Sequence, residues 1–403
     1  VTATTGLTVG AGTAAYNVVF NGSSNTIAGA TTFSNTGTVT FGDGSDTIAF
    51  TGGVTATAPS SRTINGTVSA AGTGVINLGT VSITGTSTVG GTSTGQITLG
   101  NTTLATGTTL TVGVGAATPI TLGTVNGSAG TPNLTINTTS TVSVGAVGST
   151  IGTVTVTQSG GTTFSSTVNA ATVTLTATTG TITFTGALTA GTLSTANAGY
   201  NVAINGGGTI TNAATFSNTG TLTLAGTTAF TAGVTATSPT TIYLGGTVTA
   251  IGSAAINLAG TSATPVSVTA NSTVGGTSTG QITLGAATLA DNVTLTVGGG
   301  AYAANITLST VTGTASGTAS NLTINTTGAA TVSGAVGTDI GTVTVTQSGG
   351  TTFSSTVDAA TITLSNSTAA ANITFSGNVT ATTGLTVGAG TAAYNVVFNG
   401  SSN

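Results

Sequence analysis

The chain has 403 residues, and only 1% of them are charged: one basic residue, Arg62, and five aspartates, which give a formal net charge of −4. A typical soluble domain carries about 25% charged residues. Because His, Lys, Cys and Glu are absent, most side chains that perform acid–base or nucleophilic catalysis are missing, and disulfides and thiolate metal sites are excluded. The chain also lacks the basic surface that binds nucleic acid or an anionic membrane. We therefore expect no enzyme, no cofactor and no nucleic-acid partner.

The stretch Val1–Asn25 recurs without change as Val379–Asn403. The offset between the two copies, 379 − 1 = 378, is the length of one repeat unit. A fixed long period of this kind is typical of repeat architectures. We expect one continuous array over residues 1–403, cut from a longer tandem array, in which 379–403 begins the next unit; the alternative is a duplicated tail.

The first half-repeat, residues 1–189, consists of short segments in which two apolar residues flank a threonine. In GTVTVTQSGGTTFSSTV, at 152–168, Val154 and Val156 fall on one side of a strand and the threonines on the other. Glycine permits turns between such segments. Further copies of the motif lie at Leu110/Val112, Ile120/Leu122, Leu134/Ile136, Val173/Leu175 and Ile182/Phe184.

Polar residues in this half give few candidate sites. Asp43 and Asp46, in the stretch GDGSD, form a weak candidate for Ca²⁺, but no bidentate Glu accompanies them, and Asp-Gly sequences favour a polar turn. Arg62 aligns with Ile242 in the second half, so we interpret it as decoration of a corner. The Asn-x-Ser/Thr sequons make five asparagines glycosylation candidates: Asn21, Asn65, Asn101, Asn133 and Asn137. We also expect asparagines at corners, where they can tolerate left-handed backbone and form side-chain ladders, namely Asn21, Asn65, Asn137 and Asn205.

The second half-repeat, residues 190–378, follows the first with drifting offsets. The stretch 152–168 returns at 341–357 with an offset of 341 − 152 = 189, which is half of 378, whereas TVGGTSTGQITLG returns with an offset of 273 − 88 = 185. Drift of this kind indicates small insertions in corner loops, which repeat proteins accept. Asp291, Asp339 and Asp358 align with neutral residues of the first half, which argues against a catalytic role.

The spacing of the motifs predicts the fold. Two successive spacings are 154 − 134 = 20 and 173 − 154 = 19, and a mean hydropathy of +0.46 argues against disorder. We predict an all-β chain that forms a parallel β-solenoid (β-helix) with coils of about 20 residues, its aliphatic side chains inside and its Thr and Ser side chains outside. An array of β-sandwiches is the alternative. Without a run of about 18 apolar residues, no membrane-spanning helix is expected.

Motifs such as TITFTG at Thr181–Gly186 and FSNTGTV at Phe33–Val39 resemble those of the secreted β-strand-repeat proteins of bacteria, which include filamentous-haemagglutinin-like adhesins and autotransporter passenger domains. The resemblance runs the whole length of the chain and is one of composition. It implies a right-handed parallel β-helix, secretion, and a role in attachment, biofilm or surface coats. This chain departs from those proteins in carrying almost no charge.

These observations favour a non-catalytic structural protein that forms an extracellular or cell-surface fibre and assembles with itself, end to end or laterally. The alternative is an adhesin or an ice-binding stalk. Its ligand, a surface or a glycan, would bind outside this stretch or on rows of threonines such as Thr153/Thr155/Thr157 and Thr181/Thr183/Thr185. Threonine is also simply a good outward-facing strand residue, which accounts for the rows without a ligand.

Overall fold

The computed structural model describes residues 1–263, 265–367 and 371–403. The chain divides into two compact units, Val1–Tyr200 and Asn201–Asn403. Within the described residues there is no helix, and each unit is a parallel β-solenoid; the two units contain about 19 coils of about 21 residues. The predicted fold and coil length are confirmed. The sandwich alternative is wrong, because strands of successive coils pair in parallel.

Unit 1 is built from short strands separated by tight turns. They are β1 (Thr2–Ala3), β2 (Thr8–Val9), β3 (Val18–Phe20), β4 (Ser24–Ile27), β5 (Thr31–Phe33), β6 (Thr38–Phe50), β7 (Val54–Thr55), β8 (Ser61–Ala70), β9 (Ile76–Ile83), β10 (Ser87–Gly91), β11 (Ile97–Leu104), β12 (Thr109–Val112), β13 (Ile120–Leu122), β14 (Val125–Gly127), β15 (Asn133–Asn137), β16 (Thr141–Val144), β17 (Val147–Gln158), β18 (Gly161–Phe164), β19 (Val168–Leu175), β20 (Thr181–Phe184) and β21 (Leu188–Thr195).

Unit 2 repeats this organisation. Its strands are β22 (Asn201–Ile204), β23 (Gly208–Ile210), β24 (Ala214–Thr215), β25 (Thr221–Phe230), β26 (Val234–Thr235), β27 (Thr241–Gly252), β28 (Ile256–Leu258), β29 (Val266–Val268), β30 (Ser272–Ser278), β31 (Ile282–Leu284), β32 (Ala287–Leu289), β33 (Thr294–Val297), β34 (Ile306–Leu308), β35 (Val311–Gly313), β36 (Ser320–Asn325), β37 (Ala330–Val332), β38 (Val336–Gly337), β39 (Ile340–Gln347), β40 (Thr351–Phe353), β41 (Val357–Leu364), β42 (Asn372–Phe375), β43 (Val379–Val387) and β44 (Asn395–Phe398).

Each coil contributes to three ladders. In unit 1, β15 lies between β12 and β17 in one sheet, while the next strand, β16, lies between β13 and β18 in a second sheet. The third sheet contains β14, which pairs with β11 and β17. A long strand such as β17 therefore turns a corner and takes part in two sheets. Each residue pairs with the equivalent residue one coil away, so the sequence rhythm fixes the register.

The core consists of apolar columns. Ile136, Val156 and Leu175 lie in register on successive coils and have no solvent exposure. The outward neighbours Thr135, Thr155 and Thr174 pair in the same register. Full burial of each such aliphatic side chain is worth about 1.5–3 kcal/mol. The predicted division between inward valines and outward threonines is therefore confirmed at 153–157, whereas Thr162, farther along the same stretch, is buried.

Aromatic rings form columns of the same kind. Phe164 stacks on Phe184 with centroids 5.0 Å apart, and in unit 2 Phe353 stacks on Phe375 with centroids 4.9 Å apart. Both pairs are nearly parallel, at 2° and 3°. This geometry follows from the fold, because residues in one column share the same side-chain direction.

Not every hydroxyl side chain faces outward, which corrects one expectation. At one corner of unit 1 a column of Ser and Thr side chains points inward and is at most 8% exposed, consisting of Ser93, Thr118, Thr138, Ser159 and Thr178. Four of these hydroxyls hydrogen-bond to backbone carbonyls of adjacent coils: Thr138 Oγ1 lies 2.6 Å from the carbonyl oxygen of Thr118, and Thr178 Oγ1 lies 2.8 Å from that of Ser159. The Ser159 hydroxyl lies 3.2 Å from that of Thr178. Buried carbonyls at a corner need such partners, since the sheet ladder is interrupted there.

The corner asparagines also differ from expectation. Asn65 lies inside β8, and none of the four expected asparagines has a positive φ. Left-handed backbone falls mostly on glycines and otherwise on Asn292, Ser316, Thr338 and Asp339.

Asparagine side chains join successive coils at positions other than the four named. Thr38 donates its backbone N–H to Asn17 Oδ1 at 2.8 Å, and the same contact recurs from Thr221 to Asn201 and from Thr294 to Asn271, each at 2.8 Å. These contacts satisfy N–H groups at strand starts, where no ladder partner is available.

The boundary at 200/201 lies after the half-repeat boundary at 189/190. Tyr200, the last residue of unit 1, is fully buried, and its hydroxyl donates to the carbonyl of Leu175 at 3.1 Å and accepts from the N–H of Ala196 at 3.1 Å. These bonds hold the end of unit 1 against its own preceding coil. Desolvation by burial raises the pKa of Tyr200 to about 12, against an ordinary 10.0.

We predict a stability profile that is flat near neutral pH and declines in alkali. His and Cys, which titrate near neutrality, are absent. Below pH 10 the Tyr200 phenol is protonated in both folded and unfolded chains; between pH 10 and about 12 it ionises first in the unfolded chain, so the free energy of unfolding falls. Denaturant unfolding followed by circular dichroism from about pH 5 to 12 checks this. Tyr200→Phe should give a shallower alkaline decline; a sharp unfolding transition near neutral pH would contradict the prediction.

Candidate functional site

The most regular surface feature of unit 2 is a column of eight threonines, one on each of eight successive coils. The members pair in register and all face outward; this threonine column consists of Thr227, Thr247, Thr273, Thr296, Thr323, Thr344, Thr363 and Thr386. In five members, Thr296, Thr323, Thr344, Thr363 and Thr386, the threonine lies between two apolar residues, and alternation along the strand fixes which side faces solvent.

A second row runs beside the threonine column, two residues earlier on each strand. It contains Thr294, Asn321, Thr342 and Thr361, which also pair in register. Neighbouring coils in a parallel sheet lie about 4.8 Å apart, and residues i and i+2 lie about 6.6 Å apart along a strand. The two rows therefore present methyl and hydroxyl groups on a regular two-dimensional grid.

Unit 1 presents an equivalent column, here called the hydroxyl column. It runs over nine coils and consists of Ser24, Thr47, Thr67, Thr88, Thr111, Thr135, Thr155, Thr174 and Ser194. Thr155, predicted from sequence as part of a threonine row, belongs to it, and Thr153 lies in the adjacent row, in register with Thr172. Thr183 lies on another sheet, in register with Thr163. The structure thus places the two predicted rows on different sheets of unit 1.

The Asp43–Asp46 turn uses one of its two carboxylates internally. Asp46 is only 7% exposed, and its Oδ2 accepts the N–H of Asp43 at 3.0 Å, while Asp43 itself is exposed. The pairing register of β6 with β8 shifts between Phe41 and Asp46, so this segment is a bulge. An Asp side chain that accepts a backbone N–H a few residues away closes a turn. The Asp46 carboxylate therefore has a structural partner, and a calcium ion would have to compete with it.

Arg62 is not at a corner, which corrects its interpretation as corner decoration. It lies within β8, is 7% exposed, and donates to backbone carbonyls: Nε to Thr80 at 2.9 Å, Nη1 to Thr57 at 3.4 Å, and Nη1 also to Pro59. Burial lowers the pKa of the guanidinium. Its equivalent, Ile242, is also buried, and its backbone N–H donates to the carbonyl of Pro265, at the end of the longer connection between β28 and β29.

The remaining acidic residues are dispersed. Asp291 accepts a hydrogen bond from the Thr314 hydroxyl, Asp339 is half-buried with a positive φ of 60°, and Asp358 is exposed. Among the residues that the structure describes, no three or more His, Cys, Asp or Glu side chains come together. In the same part of the chain, no helix is long and apolar enough to cross a bilayer.

The five sequon asparagines differ in accessibility. Asn21 and Asn101 are exposed, whereas Asn65, Asn133 and Asn137 are half-buried within strands. Asn65 packs so closely on Gly85 that a Cβ there would lie 2.0 Å from its Oδ1. Asn133 Oδ1 accepts the N–H of Thr153 at 2.9 Å. A glycan needs a free, outward amide nitrogen, so Asn21 and Asn101 are the better placed candidates.

Comparison with known proteins adds no assignment: no protein-family model, curated protein or solved structure matches the chain. Any functional interpretation must therefore be argued from the residues themselves.

We predict that Asp46→Ala lowers the free energy of unfolding by about 1–3 kcal/mol, because it leaves the Asp43 N–H without its buried acceptor. Asp43→Ala is the matched control and should change stability little, since that side chain is exposed. Denaturant unfolding measures both. If the pair bound calcium, Ca²⁺ would raise the melting temperature of the wild type and of neither variant; we expect no such shift.

Proposed function

We propose that this chain is a non-catalytic structural segment of an extracellular or cell-surface fibre. The observation that carries the proposal is the joining of successive coils by main-chain ladders and register-matched apolar columns, which requires no charged group. Each additional coil adds the same contacts. Such a ladder suits a protein that forms a long fibre and resists unfolding. The resemblance to secreted β-strand-repeat proteins supports the extracellular assignment.

The distribution of charge supports the same role. Trypsin cleaves after Lys and Arg, and the chain has a single such residue, Arg62, which is 7% exposed and bonded to three carbonyls. Hydrogen bonds and apolar packing are also little affected by ionic strength, unlike surface ion pairs. Both properties favour persistence outside a cell, where proteases and salt vary.

Immunogold labelling of intact cells of the source organism tests this function. Antibodies raised against the 403-residue chain should decorate filaments or a coat at the cell exterior, without permeabilisation. Labelling that appears only after permeabilisation would overturn the extracellular assignment. A preimmune serum is the control.

The threonine column favours a second candidate, a binding stalk that holds ice or another ordered surface. Eight in-register threonines with an adjacent polar row give a rigid grid of hydroxyl and methyl groups, whose side chains lose little entropy on binding because β-branching already restricts χ1. A ligand with a regular surface repeat, such as ice or a crystalline glycan, matches such a grid.

For this candidate we expect the wild type to shape ice crystals and to produce thermal hysteresis. Thr323→Lys with Thr344→Lys should abolish both, because two long, hydrated side chains interrupt the grid. Thr307→Lys with Thr331→Lys, an in-register pair on a different sheet of unit 2, is the matched control and should retain activity. Hysteresis absent from the wild type removes the ice-binding candidate and leaves the structural proposal standing.

A further inference from the structure

Arg62, the only basic side chain of this protein, lies inside the solenoid rather than on its surface. Its strand β8 pairs with β6 so that Arg62 is in register with Val39, a fully buried residue of the core. The side chain therefore starts from an inward-facing position, and its guanidinium ends among backbone carbonyls. A charge that is buried in this way is costly unless an opposite charge lies beside it.

The protein uses only part of the hydrogen-bonding capacity of this guanidinium, which has five N–H donors. Nε donates to the carbonyl of Thr80, and Nη1 donates its two hydrogens to the carbonyls of Thr57 and Pro59. Nη2 donates to no group in the part of the chain that the structure describes. It is not sealed from solvent, unlike the amide oxygen of Asn35, which is fully enclosed. The two N–H groups of Nη2 are thus open to a ligand.

The positive charge of Arg62 has no counter-charge from the protein. Burial is the only cause of the lowered pKa of this guanidinium, whereas a neighbouring carboxylate would raise the pKa. Asp46, on the neighbouring strand, pairs with Gly66 rather than with Arg62, and its carboxylate accepts the N–H of Asp43. The three carbonyls satisfy hydrogens of the guanidinium but do not neutralise it.

The open side of the guanidinium is bordered by Gly79, whose lack of a side chain leaves room there. A Cβ at Gly79 would lie 3.2 Å from Arg62 Nη2 and 3.8 Å from the Thr57 Cγ2 methyl group. Thr57 is exposed and carries its hydroxyl on the same Cβ as that methyl group, so a second hydrogen-bond donor lies beside Nη2. Nη2, the empty space at Gly79 and Thr57 together form a small opening with donors and a positive charge.

Unit 2 lacks both parts of this arrangement. The residue equivalent to Arg62 is Ile242, and in the matching stretches INLG and INLA the glycine, Gly79, is replaced by Ala259. The arginine and the glycine that leaves room beside it therefore occur together in unit 1 and are missing together in unit 2. This joint replacement favours a site over two unrelated substitutions.

We propose that Arg62, Gly79 and Thr57 form a binding site for a small oxyanion, a sulfate ion or a carboxylate. The anion accepts the two remaining N–H groups of Nη2 and the Thr57 hydroxyl, and it supplies the negative charge that the protein lacks at this point. Because Nε and Nη1 are already bonded to carbonyls, bidentate binding through two nitrogens is not available. We therefore expect weak binding, with a dissociation constant in the millimolar range. The site is independent of the proposed fibre function.

Nuclear magnetic resonance of a chain that contains isotopically labelled arginine observes this site alone, because Arg62 is the single arginine. Its one Nε–Hε signal should shift on addition of sodium sulfate or sodium acetate and reach a plateau at millimolar concentrations. Sodium chloride at the same ionic strength is the control, since it reproduces screening without an oxyanion. A signal that stays in place, or that moves equally in chloride and reaches no plateau, overturns the proposal.

Two glycines with the same backbone geometry give a matched pair of variants. Gly79→Ala places a methyl group 3.2 Å from Nη2 and should weaken sulfate binding by about tenfold or more, because it closes the open side. Gly72→Ala is the control, since its φ of 58° matches the 57° of Gly79 and a Cβ there meets nothing within 4 Å. Both variants carry similar backbone strain. Sulfate binding that is unchanged in Gly79→Ala would show that the anion does not bind here.

Thermal unfolding of Arg62→Ile, which introduces the residue of unit 2, gives an independent measurement. Sulfate raises the melting temperature of proteins in general because it is excluded from their surfaces, so this variant provides the baseline. The wild type should gain more than the variant from the same addition of sulfate, because a ligand that binds only the folded chain stabilises it by mass action. Equal gains in the two chains would contradict the proposal.

Glucose-6-sulfate distinguishes a free ion from a sulfate group that is carried by a sugar. If it shifts the Arg62 signal to a plateau as sulfate does, the site accepts the group on a carbohydrate. If only sulfate does so, the opening admits the free ion alone. The anion site stands in both cases, and its failure in the experiments above would leave the fibre function untouched.

Discussion

The spacing of about 4.8 Å between parallel strands governs this protein. Because each coil lies one strand spacing from the next, every side chain contacts the equivalent side chain of the neighbouring coil. A residue type that occupies a position in one coil must therefore pack well against the residues of the same column in the coils on either side. Aliphatic and aromatic columns fill the interior, as Ile136, Val156 and Leu175 do, while hydroxyl columns cover the exterior. Charge is nearly excluded for the same reason, because like charges stacked at this distance repel each other.

The ladder leaves backbone groups unpaired wherever the chain turns, and neutral side chains satisfy them. Inward Ser and Thr hydroxyls bond to corner carbonyls, asparagine oxygens accept N–H groups from the next coil, and Tyr200 reaches back to Leu175. These bonds join neighbouring coils rather than distant parts of the chain. Stability is therefore built one coil at a time, which is how repeat proteins gain length without a larger core.

The two halves of the repeat show how such a stack absorbs change. Unit 2 has a connection between β28 and β29 where unit 1 has the single strand β9. In unit 1 Arg62 Nε donates to the carbonyl of Thr80 within β9, whereas in unit 2 the backbone N–H of Ile242 donates to the carbonyl of Pro265. A buried cation with only carbonyl partners is a costly solution. The strand that precedes this connection keeps the same pairing in both halves, Val54 with Ile76 in unit 1 and Val234 with Ile256 in unit 2.

The sequence by itself determined the all-β solenoid, the coil length and the inward or outward direction of residues such as Val154 and Thr155, because alternation within strands and a regular return of the motif between them leave a single way to bury the apolar side. It also gave the offset of 379 − 1 = 378 residues between the identical stretches 1–25 and 379–403, which can be read directly. Only the tertiary structure decided which polar residues are buried. Thr138, Asp46 and Arg62 look like surface residues in sequence, yet each faces backbone groups that a neighbouring coil or turn leaves unpaired.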